Sequence, residues 1–104
     1  MDALIAIKGE LPVAITVLDG QKPLRLKQVV MQQLTIGQSL RAQSTLKANQ
    51  FILIGELSSM ITLVDDDGKE HTVSYEALES SSRQNLDYLN GLRVEMDVKE
   101  QAES

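Results

Sequence analysis

Residues 51–68 read FILIGELSSMITLVDDDG, and this stretch decides how the chain divides into helices and strands. Phe51, Ile54, Leu57 and Ile61 recur at steps of three and four residues, which is the spacing of an amphipathic helix. The favoured interpretation is one apolar helix over about residues 45–64 at the centre of the core. An alternative is that residues 59–64 form a strand that pairs with residues 71–73 across the acidic turn.

Upstream, the pattern changes to the period of two that is typical of strands. Residues 11–18 (LPVAITVL) alternate, Asp19-Gly20 is a strong turn signal, and residues 24–27 (LRLK) alternate again. We therefore predict an N-terminal β-hairpin. Its loop should contain four or five residues, because Pro23 cannot donate a hydrogen bond to a strand ladder. Residues 3–7 are a candidate for a short third strand.

Capping patterns mark where the helices begin. Thr35 with Gln38 three residues later forms a capping-box pattern, and on the helix that follows we expect Ile36, Leu40 and Ala42 to face inward. Ser74 can cap a short helical turn through residue 78.

A similar pattern, Ser81 with Gln84, predicts a final helix over about residues 82–97. Leu86, Leu89 and Met96 fall on one side of it. Residues 99–104 are mainly polar and should fray. The sequence thus predicts one α+β domain over residues 1–98, with an N-terminal β-hairpin followed by about three packed helices, and a frayed tail over 99–104.

Composition narrows the classes of function. The 104 residues carry a net charge of −5, with no cysteine, no tryptophan and one phenylalanine. The acidic balance argues against nucleic acid and anionic membranes as partners. Lys22, Arg25 and Lys27 lie close together but are interpreted as an exposed strand face, because no aromatic residue is interleaved. Disulfides and thiolate metal sites are excluded, because the chain has no cysteine. No apolar run approaches the roughly 20 residues of a membrane span, and we expect no signal peptide.

Groups that could carry chemistry are few. In an EF-hand alignment with Gly68 at position six, Leu63 and Ser74 would occupy ligand positions, so the acidic run is interpreted as a solvated turn that ends a helix. His71 is the only histidine and is expected to be an ordinary surface residue. Residues 80–82 are serines without a nucleophile-elbow motif. We expect no enzymatic activity, no cofactor and no metal.

The order of motifs resembles a known family. A hairpin ending in PLRL (residues 23–26) is followed by LTIGQSL (34–40), the apolar block 51–61, VSYEAL (73–78) and NLDYLNGL (85–92). This order resembles the small tail assembly chaperones of long-tailed bacteriophages, the Mu-like group most closely. The resemblance covers roughly residues 10–93.

The resemblance implies a non-catalytic role in the host cytoplasm. Such proteins bind the long, aggregation-prone tape measure protein before the tail tube polymerises, and they are absent from the mature virion. We expect exposed parts of the two apolar helices to contact the partner; the candidate residues are Phe51, Ile54, Leu57, Ile61, Leu86, Leu89 and Met96. The alternatives are a structural component of a phage particle, another small protein–protein interaction module, or an unrecognised hydrolase or metal protein. Self-association through an unpaired hairpin edge is a further expectation.

Overall fold

A computed structural model describes residues 5–103, which form a four-stranded antiparallel sheet in the order β1-β2-β3-β4 with four helices. The α+β class with an N-terminal hairpin is therefore confirmed, with two more strands and one more helix than the patterns indicate. The elements are β1 (Ala6–Asp19), β2 (Lys22–Gln32), α1 (Ile36–Ser44), α2 (Ile52–Met60), β3 (Ile61–Val64), β4 (Glu70–Thr72), α3 (Tyr75–Glu79) and α4 (Arg83–Glu103).

The β1–β2 hairpin closes with a shorter loop than expected. Asp19 pairs with Lys22, so only two residues connect the strands, and Gly20 has a φ of 66° as the first position of a type II′ turn requires. Pro23 is tolerated opposite Leu18 because alternate residues of an antiparallel strand direct their N–H groups away from the neighbouring strand. On its other side β2 pairs with β3 only over residues 28–31, so no donor is needed from Pro23.

β1 is continuous but irregular. Its register with β2 shifts between Glu10 and Ile15, and Pro12 lies inside this bulge, where a missing N–H is tolerated. The expected separate strand over residues 3–7 is wrong in its described part, because Ala6 and Ile7 belong to β1. Residues 3 and 4 lie outside the described part of the chain.

The single helix over residues 45–64 is wrong. The alternative strand is correct over residues 61–64, which pair with β4 (Glu70–Thr72), whereas residues 59 and 60 belong to α2. α2 ends at Met60, Ile61 adopts an extended backbone with ψ 148°, and β3 pairs with both β2 and β4. Residues 61–64 (ITLV) are rich in β-branched side chains, which favour a pleated strand. Near the helix end the hydroxyls of Ser58 and Ser59 both donate to the Gly55 carbonyl oxygen at 3.0 Å, which competes with the helical hydrogen bonds.

One apolar cluster joins the sheet to α2, α3 and α4. Fully buried members include Met31, Leu57, Leu63, Leu89 and Met96.

α4 packs along β1 and continues to Glu103, beyond the end near residue 97 that the pattern predicts. Ser82 is the residue whose hydroxyl accepts from the Gln84 N–H, at 3.2 Å, rather than Ser81.

Hydrogen bonds hold the last turns of α4 to the residue that directly follows β2. The Gln33 side-chain amide donates to Asp97 Oδ1 at 2.9 Å and to Glu100 Oε1 at 3.2 Å. The expected frayed tail is therefore helical through residue 103, and Ser104 lies outside the described residues. Within residues 5–103 no helix combines the length and apolarity needed to cross a membrane.

Candidate functional site

α1 is held by its own cap and contributes no buried residue. The capping box is confirmed: Thr35 Oγ1 accepts from the Gln38 N–H at 3.1 Å, and Gln38 Oε1 accepts from the Thr35 N–H at 2.9 Å. The expectation that the apolar side of α1 faces inward is wrong, because Ile36 is 83% exposed and Leu40 59%. Ala42 is half-buried. A helix stabilised by local capping can therefore present its apolar side to solvent.

α2 begins with an exposed aromatic ring. Phe51 occupies the N-cap position, has no side-chain cap and is 66% exposed, and Ile52 beside it is 53% exposed. The backbone N–H of Phe51 is instead held by the Tyr75 hydroxyl at 2.8 Å. Ser, Thr, Asp or Asn would cap better here. The only phenylalanine of the chain thus occupies a position where its ring does not improve the cap.

These side chains lie on neighbouring parts of two helices. Ile36 and Leu40 are four residues apart and share one side of α1, while Ile52 and Glu56 share one side of α2. The Ser39 hydroxyl donates to Glu56 Oε2 at 3.0 Å, which joins the two helices at these sides. We name Ile36, Leu40, Phe51 and Ile52 the α1–α2 apolar surface.

The α1–α2 apolar surface stands out against the rest of the described residues. Elsewhere among the described residues, only three large apolar side chains are exposed: Leu18 on β1, and Val94 and Val98 on α4. Single exposed apolar residues are ordinary, whereas groups of them mark interaction surfaces. This surface is therefore the strongest candidate for a partner-binding site.

The loop between α1 and α2 fixes their relative position. Leu46 packs so closely over buried Gly55 that a Cβ built on Gly55 would lie 2.8 Å from Leu46 Cδ2. Beside this contact is an open cleft of about 230 Å³, bordered by Lys47, Gln50 and Tyr75 among others. Close packing of this kind organises the surface before any partner arrives.

Four of the seven predicted partner-binding residues are in the wrong place for contact. Leu57, Leu89 and Met96 are fully buried and Ile61 is 2% exposed, so they hold the core together. Ile54 and Leu86 are half-buried. Only Phe51 is exposed. Helical spacing identifies residues that share a side, but it does not say whether that side meets solvent or the sheet.

Helical spacing also failed to identify most of the residues that form the α1–α2 apolar surface. Sequence reasoning assigned Ile36 and Leu40 to the core and did not single out Ile52. The sequence offered no N-cap signal at Phe51, because the predicted helix began near residue 45 and only the structure places Phe51 at the N-cap of α2.

His71 and Asp65 form a pair that the patterns did not predict. His71 is buried, and its Nε2 lies 2.9 Å from Asp65 Oδ2, so the expectation of a surface histidine is wrong. Asp65 Oδ1 also accepts from the N–H groups of Asp67 and Lys69 at 2.9 and 3.0 Å. The hydrogen bond from His71, followed by the one from the Lys69 N–H, lowers the pKa of the Asp65 carboxyl.

This pair organises a turn. The acidic run joins β3 to β4 and does not end a helix as expected, and Gly68 adopts a φ of 82° there. Among the described residues no group of three or more His, Cys, Asp or Glu side chains is placed to hold a metal ion. The pair therefore stabilises the β3–β4 hairpin, and its buried position offers little access to a ligand.

Comparison with known proteins adds no relative. No protein-family model matches the chain, and neither does any curated protein or any solved structure. Function is therefore inferred from the α1–α2 apolar surface and from the order of the sequence motifs.

Proposed function

We propose that this chain is a phage tail assembly chaperone, which binds the tape measure protein and keeps it soluble during tail assembly without catalysing a reaction. The observation that carries the proposal is the α1–α2 apolar surface, where four large apolar side chains are each more than half exposed. Burying such side chains against a partner is favourable because it removes apolar area from water.

The charge of the chain suits this role. A protein that covers an aggregation-prone partner must itself remain dispersed, and a net charge of −5 on 104 residues favours solubility. In the proposed role the chain acts in the cytoplasm of the bacterial host and leaves before the virion matures.

The motif order supports the same role. The segment LTIGQSL (residues 34–40), which carries part of the resemblance to tail assembly chaperones, forms the start of α1. Two of the four residues of the α1–α2 apolar surface, Ile36 and Leu40, belong to this segment. One sequence motif therefore both resembles the family and supplies contact residues.

Co-expression with the tape measure protein of the same phage or prophage tests the proposal. We expect the native chain to keep the tape measure protein soluble, and the double variant Ile36→Ser/Phe51→Ser to reduce the soluble fraction about tenfold, as loss of a hot spot does. Val94→Ser/Val98→Ser, which removes exposed apolar side chains elsewhere, is the matched control and should retain solubility. Equal solubility with all three chains would contradict the proposed site.

Purified particles separate this role from that of a structural component. Mass spectrometry of mature virions should find no copy of a chaperone. A stoichiometric amount in the particles would instead favour the structural alternative.

A further inference from the structure

Charge is distributed unevenly along the chain. Residues 20–55 contain five of the ten basic residues and none of the fifteen acidic ones. This segment supplies α1, the loop after it and the start of α2. An acidic protein thus carries its apolar surface on a segment without a single carboxylate side chain.

Two cations and one carboxylate border the α1–α2 apolar surface. The carboxylate, Glu56, is half-buried and accepts a hydrogen bond from the Ser39 hydroxyl. The guanidinium of Arg41 folds back along α1, since a Cβ on Gly37 would lie 3.8 Å from Arg41 Nη2, and Gly37 adjoins Ile36. Lys47 lies in the loop that leads to Phe51, and its side chain is exposed. Within residues 5–103, neither cation belongs to an ion pair. Both are therefore available to a partner.

We propose that the α1–α2 apolar surface binds an amphipathic helix whose apolar side is flanked by carboxylates. This inference rests on the proposed function and specifies it: the segment of the tape measure protein held here is acidic. The apolar side chains would bury the partner's apolar side, while Arg41 and Lys47 would pair with flanking Asp or Glu and so select the orientation.

The charges beside the surface and the net charge of the chain favour partners of opposite sign. The net charge of −5 attracts basic peptides over long range. The carboxylate of Glu56 beside the surface would also disfavour an acidic peptide. A preference for an acidic peptide can therefore arise only from Arg41 and Lys47, whose two charges exceed that of Glu56. Anionic membranes are the weaker candidate, because two cations on an acidic protein make a poor polybasic site.

Two synthetic peptides provide the test. Each has about 18 residues and the same leucine-rich side, and the remaining positions are glutamate in one and lysine in the other. Titration into the 15N-labelled full chain at low salt should give about tenfold tighter binding of the glutamate peptide, with amide shifts at residues 36–41 and 51–52. This advantage should shrink at about 0.5 M NaCl, because salt screens exposed charges.

Charge reversal assigns the preference to the proposed residues. Arg41→Glu/Lys47→Glu should abolish or invert the preference, whereas Lys22→Glu/Lys27→Glu should keep it. The control makes the same change in net charge at exposed cations of β2. Equal affinity for both peptides, preference for the lysine peptide, or stronger binding to phosphatidylglycerol vesicles would overturn the inference.

The two proposals can fail separately. If the glutamate peptide shows no preference but Ile36→Ser/Phe51→Ser still loses tape measure solubility, the acidic-partner inference is wrong and the chaperone proposal stands. If the glutamate peptide binds as expected but the tape measure protein is never kept soluble, the surface recognises acidic helices and the proposed function is wrong.

Discussion

The side chain of Asn85 on α4 accepts a hydrogen bond from the backbone N–H of Val13 on β1, at 3.1 Å and across 72 positions of sequence. Val13 lies within the bulge, where the β1–β2 register is interrupted and the ladder leaves N–H groups without strand partners. Asn85 is fully buried. A buried polar residue of the long helix thus completes the hydrogen bonding of the irregular strand.

Replacing Asn85 by alanine should destabilise the protein by about 2 kcal/mol, because the Val13 N–H would lose its acceptor in a partly buried place. Chemical denaturation monitored by circular dichroism measures this loss. Asn90→Ala, on the same helix, is the control. Each of the two asparagines has one buried side-chain atom without a hydrogen-bond partner among the described residues, Nδ2 in Asn85 and Oδ1 in Asn90. The two variants therefore differ in the Val13 contact, and we expect a smaller loss for Asn90→Ala. Equal losses would show that the Val13 contact contributes little.

A side chain at Gly9 should destabilise the protein while Tyr88 keeps its hydroxyl. A Cβ on Gly9 would overlap that hydroxyl, which also accepts from the Glu10 N–H at 3.1 Å. We expect Gly9→Ala to cost about 1–3 kcal/mol, and less in a Tyr88→Phe background, since the overlapping atom is then absent. A double-mutant cycle gives the coupling free energy.

Gly91 is the matched control for this experiment. A Cβ there meets nothing within 4 Å, and the residue lies inside α4. Gly91→Ala should therefore stabilise the protein by about 0.5–1 kcal/mol.

In the double-mutant cycle of Gly9 and Tyr88, additive effects of Gly9→Ala and Tyr88→Phe would contradict the predicted overlap.

Phe51 and Leu57 belong to the same apolar spacing but should respond differently to truncation. Leu57→Ala leaves a cavity in the core and should cost about 2–5 kcal/mol. Phe51→Ala removes a mostly exposed ring and should change the free energy of unfolding by less than about 1 kcal/mol. Thermal and urea denaturation of both variants provide the comparison. A large loss for Phe51→Ala would mean that its ring is structural and weaken its assignment to a partner surface.

Asp65 should make stability fall in acid. Because the pKa of Asp65 is lower in the folded protein than in the unfolded chain, the ionised form favours folding. The contribution is present above the unfolded pKa of about 3.9, and it is lost as the pH falls through the lower folded value. Asp65→Asn should be less stable than the native chain near neutral pH, and the two should converge in acid.

Denaturation curves between about pH 2 and 7 measure this convergence. Asp66→Asn, at an exposed neighbour in the same turn, should follow the native curve within about 0.5 kcal/mol. A stability difference between Asp65→Asn and the native chain that does not change with pH would mean that ionisation of Asp65 is not the cause.

Much of the architecture could be read from local sequence. Residues 11–27 alternate around Asp19-Gly20, and this local pattern is enough for a hairpin. The Thr35 and Gln38 side chains need only their own backbone to form the capping box, so α1 begins where predicted. Such features depend on neighbours within a few residues, and no distant contact has to be known.

The tertiary structure decided the change from helix to strand after Met60, and it also decided which apolar sides are covered. Residues 61–64 fit a helical period as well as a strand, and pairing with β2 and β4 selects the strand. Leu57 and Ile36 are both apolar helix residues, yet one lies in the core and the other in solvent. The reason is that burial is a property of the assembled layers, whereas periodicity describes one segment at a time.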